Sequence, residues 1–305
     1  MDMRIGKSMK RSWVLWVCAL CAPFGVSADE AQRAVVYDRE LGELSPGTQA
    51  PPAERMVNAI RSASPGALTA MLEYGERVEC LECIPLLETK LLESGDAKVR
   101  EMAAWWLRRR PFGYGRAAVR MRAVLIDDPD PVRRSRAAEA LGEFLDVSGL
   151  PALSQAVAED GAPEVRLAGV RALGRLNARS GHAALAQAFT DDDARVRRAA
   201  LDQVLKLNFW RDTDAVIARL DDEDANVRQR AAQLAGELKA EAAVDRLEQV
   251  LRDDEAAPVR QAAAWALGRI GGSAAQAALR DASERESDPR VEDALAVAVI
   301  MARRE

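Results

Sequence analysis

A pattern of small apolar residues and polar residues recurs along most of the chain. Each copy contains an acidic turn, a Val-Arg pair and an alanine-rich stretch that ends near Leu-Gly. The recurring valines are separated by 33, 33, 31, 31, 32 and 32 residues, and they are Val99, Val132, Val165, Val196, Val227, Val259 and Val291. A constant period of this length predicts a stack of similar structural units.

Each copy predicts two helices. The valine and the alanines four, five and seven residues after it share one face at helical spacing, and a second helix with inward-facing Leu, Val and Ala follows. An aspartate three residues before the valine can accept hydrogen bonds from the free N–H groups of the first helix and oppose its dipole. The aspartates in this position are Asp96, Asp193, Asp224 and Asp288.

Glycines mark the far end of four of these first helices, where a left-handed residue is often required. They are Gly142, Gly174, Gly236 and Gly268. Two copies depart from the pattern. Leu141-Gly142 lies one residue farther from Val132 than in the neighbouring copies, and Glu292 replaces the arginine after Val291, which predicts a terminal cap.

The pattern from Asp96 to about Val299 resembles HEAT repeats of the short, phycobilisome-lyase type. The resemblance implies an all-α fold, a right-handed α-solenoid of about seven stacked antiparallel helix pairs similar to armadillo superhelices. We expect repeats over 96–305 and less regular helices over 55–95. The resemblance also implies that the arginine after each valine pairs with turn aspartates in a structural ladder. These arginines are Arg100, Arg133, Arg166, Arg197, Arg228 and Arg260.

The first 28 residues have the three parts of an export signal. A basic segment precedes ten apolar residues from Trp13 to Ala22, and Val26-Ser27-Ala28 has the small-x-small pattern of a cleavage site. We expect cleavage after Ala28 and a periplasmic or secreted protein, the alternative being a buried N-terminal helix. Residues 29–54 are rich in Pro and Gly and predict a flexible lead-in.

The amino-acid composition limits the kinds of functional site that this chain can form. Hydrophobic residues make up 49% and charged residues 30%, which favours a folded chain, and the single histidine, His182, disfavours His-rich metal sites and His-dependent nucleophilic catalysis. We predict no catalytic, cofactor-binding or metal-binding residue. Without the leader, 39 basic and 47 acidic residues give a net charge of −8, which disfavours nucleic acid as a partner. No later apolar run is long enough to span a membrane.

Cys80 and Cys83 are the two cysteines outside the leader. In an oxidising compartment, two cysteines at this spacing can form a disulfide or remain inert thiols, or they can act in redox or metal chemistry. Ile84 follows the second cysteine where covalent haem attachment needs histidine, and there is no second cysteine pair to complete a zinc site.

Two tryptophans occupy a position that is polar in other copies. Trp105 and Trp265 each lie six residues after the valine, and Arg108, Arg109 and Arg110 follow the first of them. Large aromatic residues among polar ones are typical of a contact surface. The alternative is that Trp105 packs on the N-terminal helices and the arginines are solvated. The polar residues in this position are Arg171, Asp202 and Gln233.

Three functions remain open on the sequence alone. The first is an exported, non-enzymatic scaffold that binds another protein. The second, implied by the resemblance to phycobilin lyases, is the handling of a tetrapyrrole or other cofactor. The related oxidoreductase deoxyhypusine hydroxylase uses paired His-Glu motifs, which this sequence lacks. The third is an adaptor that responds to redox conditions through Cys80 and Cys83.

Overall fold

A computed structural model describes residues 52–110, 113–207, 210 and 212–303. The predicted leader and almost all of the predicted lead-in lie outside these residues. The chain divides after Cys83 into two compact units, so the described part of the first unit is 52–83 and that of the second is 84–303. The two units are described separately below.

The described residues form sixteen α-helices and no strand. In chain order they are α1 (Ala53–Ser62), α2 (Pro65–Tyr74), α3 (Cys83–Glu93), α4 (Ala97–Leu107), α5 (Tyr114–Asp127), α6 (Pro131–Phe144), α7 (Leu150–Glu159), α8 (Pro163–Leu176), α9 (His182–Gln187), α10 (Ala194–Val204), α11 (Thr213–Ile217), α12 (Ala225–Glu237), α13 (Val244–Asp253), α14 (Ala257–Ile270), α15 (Gly272–Arg285) and α16 (Pro289–Ala302).

The first unit is built on α1 and α2. The Ser64 hydroxyl accepts a hydrogen bond from the Ala67 N–H and caps α2, and Pro65 takes the first helical position, where its missing N–H costs nothing. Met56 is fully buried and lies beneath Gly75, at which an added Cβ would come within 2.6 Å of the Met56 Cε. The end of α2 therefore packs closely on the end of the Met56 side chain.

In the second unit, helices of two kinds alternate. The helices that carry a recurring valine near their start, here called the Val-Arg helices although Glu292 replaces the arginine in the last of them, pack against one another from one repeat to the next. They are α4, α6, α8, α10, α12, α14 and α16. The shorter or more polar helices between them, the intervening helices, cover one side of this row. The predicted all-α solenoid of stacked antiparallel helix pairs is confirmed.

The predicted aspartate caps are also confirmed. Asp96 accepts hydrogen bonds from the N–H groups of Lys98 and Val99, at 2.8 and 3.1 Å. Asp193, Asp224 and Asp288 cap α10, α12 and α16 in the same way. Such a cap stabilises a helix start by roughly 1 kcal/mol, so these turns define where each Val-Arg helix begins.

One repeat has a different register from the one that its Val-Arg string indicates. Val132 is 46% exposed, whereas Val165, Val196 and Val227 are fully buried. The helix has Asp130 as its cap and Pro131 as its first residue, which places Arg133 in the position that valine occupies elsewhere. Counted from Arg133, Leu141-Gly142 has the same spacing as in the other copies, so the apparent extra residue disappears.

The role expected for the glycines is wrong. Gly142, Gly236 and Gly268 lie inside helices, and a Cβ added to each would lie within 2.7–2.9 Å of the Cα of an alanine on the next Val-Arg helix. The left-handed residues come three positions later and are Leu145, Asn177, Lys239 and Gly271. The glycines therefore allow neighbouring helix backbones to approach closely.

We predict that Gly236→Ala destabilises the protein. Its Cβ would lie 2.7 Å from the Ala266 Cα and 2.9 Å from the Trp265 Cζ3, so two helices must separate. The free energy of unfolding, measured by urea denaturation, should fall by about 1–3 kcal/mol. Gly115→Ala on α5 is the control, because nothing lies within 4 Å of its added Cβ and alanine favours the helix. Equal stability of the two variants would contradict the close-approach role.

Candidate functional site

A buried arginine joins each turn of the second unit to the next, and Arg197 is the best enclosed. Its Nη1 donates to the carbonyl oxygens of Asp191 and Asp192 in its own turn, at 2.7 and 3.2 Å. Its Nε and Nη2 donate to the two carboxylate oxygens of Asp222 in the next turn, at 2.8 and 2.7 Å. One guanidinium therefore holds two turns at a fixed separation with a two-pronged, charge-assisted contact.

The same arrangement recurs through the array. Each carboxylate that receives an arginine also accepts a hydrogen bond from the backbone N–H two residues later in its own turn. The Nε–O distances are 2.7–2.8 Å throughout. The pairs are Arg134–Asp160, Arg166–Asp191, Arg197–Asp222, Arg228–Asp254 and Arg260–Glu286.

The start of this ladder corrects the sequence-based assignment. Arg134, and not the predicted Arg133, makes the ladder contacts in its repeat, because Arg133 fills the valine position. Arg133 instead joins Asp128 at 2.9 Å and Glu93 at 2.7 Å. Arg100 binds the carbonyls of its own turn, but its carboxylate partner is Glu139 on α6, at 2.9 Å, and not the expected turn aspartate.

The contact with Arg260 holds the carboxylate of Glu286 in its charged form. The hydrogen bond from Arg260 lowers the pKa of Glu286 from an ordinary value of 4.5 to about 2. The hydrogen bond from Arg195 likewise lowers the pKa of the capping carboxyl of Asp193 from 3.8 to about 2. Glu286 is thus charged at neutral pH, and its pairing with Arg260 has a structural role.

The aromatic segment at the end of α4 divides into buried and accessible parts. Trp106 is fully buried and Arg110, only 4% exposed, stacks over its ring at 3.8 Å. The Arg108 Nη1 donates to the Glu143 carbonyl oxygen at 2.9 Å. Arg110 is therefore not available to a partner, contrary to expectation, and Arg108 holds the end of α6. Trp105 stays half-buried, with Arg109 stacked over it at 4.2 Å.

Trp265 lies in a groove of about 460 Å³ on the exposed side of the Val-Arg helices. The Cζ3 atom of its ring lies against Gly236 of the preceding helix, and the residue as a whole is half-buried. Arg269 lies 5.7 Å from the ring centre and pairs with Glu237 at 3.4 Å. The remaining walls are apolar or carry amides, and they include Leu205, Gln229, Gln233, Pro258, Gln261 and Val297.

Trp265 was predicted from the sequence as a contact residue, but most of the other residues that line this groove were not. Leu205 and Val297 are large apolar residues that are 42% and 55% exposed, and they come from repeats on either side. The sequence could have indicated Val297 as part of the groove, because it occupies in its own repeat the same position as Trp265. Trp105 occupies that position five repeats before Trp265. The two tryptophans are therefore at equivalent positions, but they do not line the same groove.

Cys80 and Cys83 form a disulfide in the first unit. Both sulfur-bearing residues are buried, while Leu81 between them is 66% exposed. The backbone N–H of Cys83 also donates to the Cys80 Sγ at 3.2 Å, which closes a compact turn before α3. The pair is thus held inside the unit with one apolar side chain projecting from the loop.

His182 belongs to a packed aromatic cluster. Its ring lies 5.6 Å from that of Trp210, which is 5.5 Å from Phe189. Among the described residues, no group of three or more His, Cys, Asp or Glu side chains could hold a metal ion. In the same part of the chain, no helix combines the length and apolar character needed to cross a membrane.

Comparison with known families identifies the repeats. The family of HEAT repeats matches residues 120–206 and 213–300, which is more than half of the chain. The chain therefore belongs to the HEAT-repeat family. No curated protein matches it.

Solved structures of the same fold share little sequence with this chain. YibA from Escherichia coli has a TM-score of 0.56 at 15% identity, over 84% of this chain and 93% of YibA. Kap121p bound to Ste12p has a TM-score of 0.56 at 16% identity, over 81% of this chain and 31% of Kap121p. The CpcE–CpcF phycocyanin lyase of Nostoc is 21% identical over 72% of this chain and 94% of its own, with a TM-score of 0.38.

We predict that Arg197→Ala is strongly destabilising. The side chains of Arg197 and Asp222 are only 6% and 3% exposed, so the substitution leaves a buried carboxylate without its partner. The free energy of unfolding from urea denaturation should fall by about 3–5 kcal/mol. Arg195→Ala is the matched control, two residues away in an exposed pair with Asp193, and should leave the urea midpoint nearly unchanged. Similar losses in both variants would argue against the ladder as the cause.

The ladder should also make the protein sensitive to acid. Because folding lowers the pKa of Glu286 from 4.5 to about 2, its stabilisation is present above its unfolded pKa. It should be lost as the pH falls through about 4.5 towards 2. Urea midpoints measured across this window should therefore fall less steeply for Glu286→Gln than for the wild type. The exposed control Glu284→Gln should keep the wild-type slope, and an unchanged slope for Glu286→Gln would refute the link.

Proposed function

We propose that this HEAT-repeat chain is a non-enzymatic scaffold that binds a protein partner along the exposed side of its Val-Arg helices. The observation that carries the proposal is the Trp265 groove. A half-buried tryptophan, between exposed Leu205 and Val297, offers the kind of aromatic anchor that dominates protein interfaces.

The polar groups of the groove suit a peptide backbone. Gln229 and Gln261 face it, and an amide side chain can both donate to a carbonyl and accept from an N–H. The charged residues at its edge are already paired, Arg230 with Asp202 and Glu237 with Arg269. The groove therefore favours an uncharged or apolar segment over an anionic ligand.

Known structures of the same fold support a binding role without identifying the partner. Kap121p, whose TM-score is 0.56, is described as bound to Ste12p. Similarity at this level of identity concerns the fold, so the partner of this chain has to be found by experiment.

We propose further that the protein acts after export, in the periplasm or outside the cell. The basic, apolar and small-x-small segments of its first 28 residues support this location. The disulfide between Cys80 and Cys83 also supports it, because disulfides persist in oxidising compartments and are rare in the cytosol.

A photo-crosslinking side chain tests the binding surface in intact cells. Placed at Gln261 in the groove, it should capture a specific protein, and the additional change Trp265→Ala should reduce that capture at least about tenfold. The same crosslinker at Gln249, an exposed glutamine on the intervening helix α13, is the control and should not capture this protein.

The outcomes separate the two parts of the proposal. Capture that is equal from both positions, or unaffected by Trp265→Ala, would rule out the groove as the binding surface. The N-terminal residue of the same purified protein reports the compartment. Cleavage after Ala28 gives Asp29 as the first residue, while an intact leader on the functional protein would contradict export.

A further inference from the structure

The last Val-Arg helix, α16, has an apolar stripe on the side that would face a further repeat. Ala296 is exposed and Ile300 is 55% exposed. The residues equivalent to Ala296 in the six preceding Val-Arg helices are all fully buried. They are Ala104, Ala138, Val170, Leu201, Ala232 and Ala264.

The second apolar residue of the stripe, Ile300, is larger than most of its equivalents in the array. It occupies the position of Gly142, Gly174, Gly236 and Gly268, where the next Val-Arg helix comes so close that a Cβ would not fit beside Gly236 or Gly268. The equivalents of Ile300 in α4 and α10 are Arg108 and Leu205, and the next Val-Arg helix packs against both helices, so the array accommodates a large side chain in this position.

The charges at the two ends of the stripe are complementary. Asp293 lies towards the start of α16 and Arg303 just after its end, about 15 Å apart along the axis at 1.5 Å per residue. Both are exposed, and the described residues provide no ion-pair or hydrogen-bond partner for either side chain. Along the helix, the stripe therefore consists of an acidic residue, a small apolar residue, a large apolar residue and a basic residue.

We propose that a second copy of this chain docks on α16 to form an antiparallel homodimer. When two such helices run in opposite directions about a two-fold axis, Asp293 of each meets Arg303 of the other. In the same register, Ile300 of each packs over Ala296 of the other. Every contact is thus made twice, as an isologous interface requires. Val297 lines the Trp265 groove and is not part of this stripe, so the two surfaces are separable.

A single pair of helices buries less surface than a standard stable interface of about 1,600 Å². The dimer should accordingly be weak and depend on protein concentration, with exposed ion pairs that specify the register. High salt should weaken it further, because those pairs are screened.

Analytical ultracentrifugation of the mature full-length chain tests the apolar contact. The wild type should shift from monomer to dimer as its concentration rises, and Ile300→Asp should raise the dimer dissociation constant by about tenfold or more. Val119→Asp is the control, since Val119 is a 57%-exposed apolar residue on α5. A wild type that stays monomeric at the highest attainable concentration, or equal effects of both variants, would overturn the proposal.

A charge exchange tests the antiparallel register. Asp293→Arg and Arg303→Asp each place like charges opposite one another, so each variant alone should associate at least about tenfold more weakly than the wild type. An equimolar mixture pairs arginines on one chain with aspartates on the other, and association should return. Failure of the mixture to associate, or single variants that dimerise like the wild type, would overturn the register. Binding through the Trp265 groove should persist in all these variants.

Discussion

The structure of the repeat array depends on one interaction, the guanidinium group that joins two successive turns. Arg197 binds the carbonyl oxygens of its own turn and the carboxylate of Asp222 in the next. Asp222 in turn accepts the N–H of Asp224, whose carboxylate caps α12. Turn geometry, helix start and repeat spacing are therefore set together, and a helix cannot shift along its neighbour without breaking several charge-assisted bonds.

That fixed spacing is what makes the surface of the Val-Arg helices regular. Because the backbones approach closely at the glycines, the positions six residues after each valine line up along the exposed side. Most of these positions carry polar residues, and where they carry Trp265 and Val297 the surface becomes a groove with apolar walls. The candidate site is thus a variation in side chains on a constant frame, as in other repeat proteins.

Much of the fold could be predicted from the sequence, because the period and the capping aspartates are local signals. The resemblance to HEAT repeats also indicated the ladder, although counting from valine gave Arg133 where counting from Gly142 gives Arg134. The glycines and the groove were harder. The constraint on Gly236 comes from Ala266 and Trp265 on the next helix, and the groove joins residues of four repeats. Such contacts depend on how neighbouring repeats pack against one another, and the sequence of a single repeat does not specify this.

The contact between Trp265 and Gly236 limits how the repeats could be recombined. The tryptophan ring occupies the space that a side chain at Gly236 would fill, so a repeat with tryptophan in this position requires glycine in the repeat before it. Neighbouring repeats are thereby matched in pairs. The three other glycines in this position would meet the same requirement, whereas Leu205 of α10 would not. Placing the Trp265 repeat directly after the Leu205 repeat would therefore lose the groove along with the packing. The array is periodic in backbone, yet the order of its repeats is restricted.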